Sequence, residues 1–528
     1  MSLLKNFATV GSATATSRVL GFVRDIFIAA ALGTGPVADA FFVAQRLPNL
    51  FRRLFAEGAF ASAFVPLFTK SHEGEGLEAS RRFTEEALAA LAAVLLVVTI
   101  FAQLGMVWLM YGLAPGFAED PAKFDLAVLL SRIAFPYLFL VSLVALLSGV
   151  LNGIGRFAAA AFSPALLNAV LIATLVYIYL TGETETVAAG IWMASAITVG
   201  GILQLAVLWY FCERAGVKVR LRLPRWTPGV KRLTLLAGPS VLAGGVTQIN
   251  IVVGTIIASL QPGAVSWLYY ADRLYQLPLG IVGIAIGIIL LPDLSRALAA
   301  GKQTIYDHTQ NRAIEFAAAL TLPATIALLI IPAPIIGVLF ERGAFTAADT
   351  AATAPALAAF AVGLPAFVAI KVLQPGFFAR EDTWTPMWSG VVSMLVNVVG
   401  AILLFRVYGH VGIAAATSVA GWVNTAILGV ILYRRGHLRM DSLLRRRVPL
   451  LALASLAMGI AIWLAAWGLS PWLSDRHGLV EFAALAILCA IGAGVFVGLC
   501  QVAGVVDFRL LMRRRARVPP PPLPPTDV

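Results

Sequence analysis

Cysteine is nearly missing from this chain. Cys212, Cys489 and Cys500 are the only three in 528 residues, and none forms a CxxC pair. A disulfide framework and a thiolate metal centre are therefore not expected. Histidine is as sparse: His72, His308, His410, His437 and His477 are scattered, and no P-loop, HExxH or aspartate cluster accompanies them. Metal-assisted or nucleophile-base chemistry thus lacks its usual residues, and no enzyme activity or metal site is expected. Charge is scarce too. Only 12% of residues are charged, against about 25% in soluble domains. Period-two alternation, the mark of a membrane β-barrel, does not occur. Nor does the N-terminus read as a signal peptide, because its apolar core is thin and the first helix runs past any cleavage point.

What the chain has is apolar length. Hydrophobic residues make up 60%, and runs of about 20, each able to cross a bilayer, recur throughout. Fourteen transmembrane helices are expected, near 6–32, 37–68, 85–110, 126–150, 158–181, 187–212, 232–260, 265–294, 313–340, 350–378, 385–406, 411–433, 448–470 and 479–505. The fold class is an all-α polytopic membrane protein. Most basic residues outside the spans collect on one side, including the clusters in 214–232, 434–447 and 509–517. Lys123, Arg132, Arg342, Arg406 and Arg476 fall on the other. The basic side is expected to be cytoplasmic, with both termini there. The net charge of +12 is then loop charge rather than a nucleic-acid surface, since it lies in short loops.

The chain also repeats. "VAQRLPNL" at 43–50 matches "YADRLYQL" at 270–277, and Pro136 and Asn168 recur as Pro365 and Asn397, 229 residues on. Six helices separate equivalent points, so the halves run parallel, about an axis along the membrane normal. The expected domains are an N-lobe at 1–215, a basic linker at 216–231, a C-lobe at 232–440, two additional helices at 441–505, and a basic, proline-rich disordered tail at 506–528.

Seven cations fall inside spans: Arg18, Arg24, Arg46, Arg52, Arg53, Arg273 and Lys371. Four acids join them: Asp25, Asp39, Glu57 and Asp272. A charge at the bilayer centre costs about 2.5–3.5 kcal/mol, so seven facing lipid would cost on the order of 20 kcal/mol. They must line a cavity, pair with acids, or snorkel. On a helical wheel Thr14, Ser17, Arg18, Gly21, Arg24 and Asp25 share a face about 140° wide, opposite Val19, Leu20, Phe22, Val23 and Phe27. Asp39, Arg46, Arg53 and Glu57 form a second stripe; Arg52 lies off it, beyond the expected kink at Pro48. Arg52, Arg53 and Lys371 sit where snorkelling or ion pairing is a fair account; Arg18, Arg24 and Asp39 do not. A cavity with surplus arginine suits an anion, because guanidinium grips phosphate or carboxylate bidentately and stays charged.

"SRVLGFVRD" at 17–25, "ADAFFVAQRLPNLFRRLFAEGAFASAFVPLF" at 38–68, "WLYYADRLYQLPLG" at 267–280 and "VKVLQPGFFARED" at 370–382 together resemble the MurJ (MviN) family. Its members are the lipid II flippases of bacterial peptidoglycan synthesis, within the MOP exporter superfamily. The resemblance runs from Met1 to about residue 440 and continues weakly through the last two helices. It implies two six-helix lobes flanking a central cavity in the inner membrane, with helices 13 and 14 forming a groove for a polyprenyl tail. It also implies substrate-binding roles for Arg18, Arg24, Arg52, Arg273 and Asp39. Ser17, Asp25, Arg46, Arg53, Glu57, Asp272 and Lys371 are expected to support them. The implied partners are lipid II, membrane lipids and the cell-wall synthesis machinery. No cofactor is expected; drive would come from the membrane potential or a monovalent cation. Asp382 is the nearest acid for such a cation, but no complete cage surrounds it in the sequence. The rival readings are an oligosaccharide-lipid flippase, which also binds pyrophosphate, and a cation-coupled drug antiporter, which would want surplus carboxylate. A membrane enzyme would need paired acids with metal or a nucleophile with a base, and a cell-wall scaffold would tolerate loss of the arginines.

Overall fold

The computed structural model describes residues 2–55, 59–220, 222–474 and 478–505. Side chains are described for these apart from 2–8, 53–55, 59–62, 238–247, 281–282, 284–289 and 474. Among the described residues there is no strand. The helices are α1 (Ser2–Leu32), α2 (Pro36–Phe55), α3 (Ala59–Leu104), α4 (Met106–Leu113), α5 (Pro121–Ala134), α6 (Tyr137–Gly153), α7 (Phe157–Thr181), α8 (Val187–Arg214) and α9 (Pro228–Ser259). They continue with α10 (Ala264–Ala299), α11 (Gln303–Ile330), α12 (Pro332–Phe340), α13 (Ala347–Phe378), α14 (Trp384–Tyr408), α15 (His410–Arg434), α16 (Ser442–Gly468), α17 (Ser470–Ser474) and α18 (Leu479–Val502).

Ten of the described helical segments are long and apolar enough to cross a membrane, and the chain is a multi-pass membrane protein. The expected spans that fall outside those ten are α1, α2, α9 and α10. Charged residues within α1 and α2 dilute their apolar character, and parts of α9 and α10 lie outside the residues whose side chains are described. Several boundaries differ from those expected. The span at 126–150 is broken into α5 and α6 at Phe135–Pro136, because proline lacks the N–H that would continue the ladder. The loop expected at 70–82 is instead helical within α3, interrupted at Gly76, whose φ of 84° leaves the helical region.

The chain packs into two compact units. One comprises Met1–Tyr275, Leu339–Phe360 and Gly390–Ala420; the other comprises Gln276–Val338, Ala361–Ser389 and Gly421–Val528. Packing and sequence repeat thus divide the chain differently.

In the first unit α3, α6 and α8 share an apolar core. Phe64 and Phe68 are fully buried among Leu147, Val150 and Leu208. Small residues permit this close approach: Gly149 faces the Phe64 ring and Gly153 the Phe68 ring. The Leu32 end of α1 is closed by other segments. A helix end leaves carbonyls without partners. Here the Ala30 carbonyl accepts from Ala344 N at 2.9 Å, Ala31 from Glu185 N at 2.9 Å, and Gly33 from the Tyr270 hydroxyl at 3.0 Å. Around them Tyr270 packs against Phe42, Phe340 and Phe345.

In the second unit α16 lies between α11 and α18. Gly459 receives Ile326 and Ile330, and Gly492 receives Ile462 and Met458. Charged groups fasten the ends. Glu315 bridges Arg312 and Arg447, and Arg312 also reaches Asp441, the N-cap of α16. Asp382 accepts from Thr385 N at 2.9 Å, Thr385 Oγ1 at 2.6 Å and Arg435 Nη1 at 2.6 Å. It therefore serves as the cap of α14 and as an ion-pair partner. Burial pushes its carboxyl up, but the Thr385 bonds and Arg435 outweigh that and hold it down to about 2.

Substitution at these ends separates strain from collision. Gly343 has φ 59°, and a Cβ there would collide with the Ala30 carbonyl; Gly182 has φ 73° and open space around it. Gly182→Ala is expected to cost only the left-handed strain of about 1–2 kcal/mol. Gly343→Ala should cost clearly more, read as the larger fall in thermal midpoint. Asp382 has a depressed folded-state pKa, so its stabilisation is full above about pH 4 and is lost as pH falls toward 2. Asp382→Ala should lower the midpoint at pH 7 by the equivalent of about 1 kcal/mol, and the gap from wild type should close as pH drops through that window.

Candidate functional site

The charged residues of α1 and α10 meet inside the first unit. Arg24 and Asp25 are adjacent on α1, and both are buried, at 9% and 3% exposure. Arg24 Nη2 lies 2.7 Å and Nε 3.1 Å from Asp25 Oδ1. Its Nη1 donates to Asn168 Oδ1 of α7 at 2.9 Å, and Asn168 Nδ2 donates to the Ser17 carbonyl at 3.1 Å. Gly21 lies against that asparagine, which is how the small residue of the polar face is used.

From α10, Arg273 Nε approaches Asp25 Oδ2 at 3.4 Å, outside good hydrogen-bond alignment, since that nitrogen has no hydrogen-bond partner. Tyr269, one turn earlier, donates its hydroxyl to Asp25 Oδ1 at 3.0 Å and accepts from Arg273 Nη2 at 3.1 Å. Two guanidiniums therefore share one carboxylate. A buried ion pair needs full matching to offset desolvation; among the described residues this cluster holds two guanidiniums and one carboxylate, and Arg273 Nε has no hydrogen-bond partner. Including Arg46 and Asp272, whose charges attract one another, adds one of each sign and leaves the same excess.

Arg46 of α2 is half-buried and donates to Thr255 Oγ1 of α9 at 2.8 Å. Arg52 is half-buried, with Nε 3.2 Å from Asn49 Oδ1. The Asn49 partner one turn back explains how a residue off the stripe is still held. Arg18 is exposed, and Ser17 and Asp272 are half-buried. Lys371 is exposed in the second unit, with its stem across Gly283. The Arg53 side chain and Glu57 lie outside the described residues.

Asp39 stands apart from the arginines. It is completely buried and paired with Lys123 of α5 at 2.6 Å. It also accepts from Gly263 N at 2.9 Å, Ser266 N at 3.0 Å and Ser266 Oγ at 2.6 Å. Those amides are the orphan donors at the start of α10, where negative charge is favoured. The Lys123 ammonium also lies 4.1 Å from the centre of the Phe117 ring. Asp39 thus joins α2, α5 and α10 with both carboxylate oxygens engaged, whereas the family resemblance implied a substrate-binding role for it.

Sequence reasoning brought forward Arg24, Asp25 and Arg273, which the fold assembles. It missed three residues. Tyr269 was visible only as part of a quoted motif, Asn168 only as a repeat marker, and Lys123 was counted as loop charge. No periodicity within one helix signals a contact made between helices distant in sequence.

Comparisons with known proteins agree on one family. Residues 28–478 match the family described as lipid II flippase MurJ. A "probable lipid II flippase MurJ" from Rhizobium tropici is 49% identical over 526 residues, covering 99% of this chain and 98% of its own. Among solved structures, "Lipid II flippase MurJ, inward closed conformation" superposes with a TM-score of 0.77 at 25% identity, covering 96% of this chain and 99% of its own. An inward-facing multidrug resistance MATE transporter of the MOP superfamily gives 0.67 at 14% identity over 79% of this chain and 94% of its own, a likeness of fold alone. With its arginine-rich cluster, its helical architecture and these matches taken together, the chain belongs to the lipid II flippase MurJ family.

Proposed function

We propose that this protein carries lipid II, the lipid-linked peptidoglycan precursor, from the cytoplasmic to the periplasmic leaflet of the bacterial inner membrane, without covalent chemistry. The observation that carries the reading is the sharing of Asp25 by Arg24 and Arg273, which leaves surplus positive charge in an otherwise apolar protein. A pyrophosphate satisfies guanidinium donors bidentately. In this reading Arg24, Arg273, Arg18 and Arg52 hold the pyrophosphate and the peptide carboxylates while the polyprenyl tail stays in lipid.

Release on the far side requires the helices of the site to separate there, by alternating access. The closure around Asp39 suits such a step. Its bonds to Gly263 and Ser266 join α2 to α10 and would break on opening. Lys123 belongs with Asp39 to the first half of the chain and would stay with it, so the carboxylate never stands unpaired at low dielectric. Asp25 has the complementary role. By competing for Arg273 it keeps the grip on the anion reversible.

A leaflet-specific lipid II accessibility assay in cells depleted of the native protein tests the cargo. Wild type should restore exposure of lipid II to the periplasm. Arg24→Ala and Arg273→Ala should each lower it by at least tenfold, the cost expected for losing a charge-assisted bond. Unchanged lipid II exposure on depletion, with another lipid-linked oligosaccharide retained inside, would reassign the cargo. Asp39→Asn should shift the population toward the periplasm-open form, seen as greater labelling of a cysteine placed at Ala264, which is buried at the start of α10. Equal labelling would remove Asp39 from the closure.

A further inference from the structure

Tyr269 touches all three charged groups of the cluster, Asp25, Arg24 and Arg273. It is 7% exposed, and its ring stacks on Phe42 with centroids 3.9 Å apart. A phenol hydroxyl has one proton to donate and two lone pairs. Here the proton goes to Asp25 Oδ1 at 3.0 Å, and the lone pairs take Arg273 Nη2 at 3.1 Å and Arg24 Nη2 at 3.5 Å. The Arg273 guanidinium also lies over the Tyr269 ring, 4.7 Å from its centre, because residues four apart share a helix face.

Arg273 is defined as much by a bond it does not make. A guanidinium beside a carboxylate normally docks through two parallel N–H donors. Arg273 instead stops with Nε 3.4 Å from Asp25 Oδ2 and no hydrogen bond made by that nitrogen. Its Nη2 is engaged by the tyrosine, and Asp25 Oδ1 is filled by Arg24 and the same hydroxyl. We infer that the Tyr269 hydroxyl is a positioning group that holds Arg273 off Asp25, keeping its donors available for the anionic head of the substrate. This rests on the reading of the arginine cluster as the pyrophosphate site. Without the hydroxyl, Arg273 closes onto the carboxylate as a fork-to-fork pair and its charge is neutralised within the protein.

The test is binding of a polyprenyl pyrophosphate to the purified full-length chain in nanodiscs. Tyr269→Phe keeps the ring and its stacking and removes only the hydroxyl. It should weaken binding by about tenfold, the scale of one hydrogen bond to a charged group. In an Asp25→Asn background there is no carboxylate for Arg273 to close onto, and Tyr269→Phe should then change binding less than twofold. An equal loss in both backgrounds would overturn the inference, as would binding by Tyr269→Phe within twofold of wild type. Arg273→Ala separates the two levels: if it weakens binding while Tyr269→Phe does not, the site stands and the tyrosine's role falls. If Arg273→Ala binds normally, the site reading itself fails. Should the phenylalanine variant not fold, Tyr269→Gln and Tyr269→Met ask the same question, since only glutamine can both donate to Asp25 and accept from Arg273. Glutamine binding at least fivefold tighter than methionine supports the inference, and equal binding refutes it.

Discussion

One carboxylate serving two guanidiniums is the constraint on which the rest turns. Asp25 is buried with Arg24 and close to Arg273, where a full complement of acids would have produced a neutral, inert core. Leaving the count uneven is costly in lipid; under the proposed function the anionic head of the substrate meets the excess charge. An arginine cannot relieve the mismatch by giving up its proton. The fold therefore keeps the excess next to neutral polar partners: Asn168 for Arg24, Tyr269 for Arg273, Thr255 for Arg46 and Asn49 for Arg52. Each supplies an acceptor without supplying a negative charge.

Under the proposed function the same arrangement would tie binding to closure. The cluster joins α1 to α10, and a short distance along the chain Asp39 caps the start of α10 from α2. Tyr269 and Tyr270 are neighbours with opposite duties. Tyr269 addresses the charges, while Tyr270 caps the Gly33 carbonyl at the end of α1. A change felt by Arg273 is thus felt within one helical turn by the contacts that close the α1 end. Coupling through a shared rigid helix needs no long pathway.

Much of this was legible in the chain itself. Apolar length announced the membrane class, and a 100° wheel placed Arg24 and Asp25 on one face of α1. The cost of charge in lipid required partners for the intramembrane arginines, and Arg24 has one in Asp25. The wheel could not decide Asp39. Its stripe grouped it with Arg46, yet tertiary packing gives it to Lys123 and the α10 amides, partners 84 and more than 220 residues away. Proline also resists reading by pattern: Pro136 separates α5 from α6, while Pro48 lies inside α2 without ending it. Helix α3 runs through a charged stretch that hydropathy alone assigns to a loop, where Arg81 pairs with Glu78 and Glu85 one turn to either side.

The surplus charge of the cluster can be measured directly. Binding of a polyprenyl pyrophosphate and of the corresponding uncharged polyprenol to the purified protein should differ by at least a hundredfold, about 2.7 kcal/mol, with the difference abolished in Arg24→Ala/Arg273→Ala. Equal affinity for the charged and uncharged lipids would mean that these arginines are already neutralised within the protein, and the central claim would be contradicted.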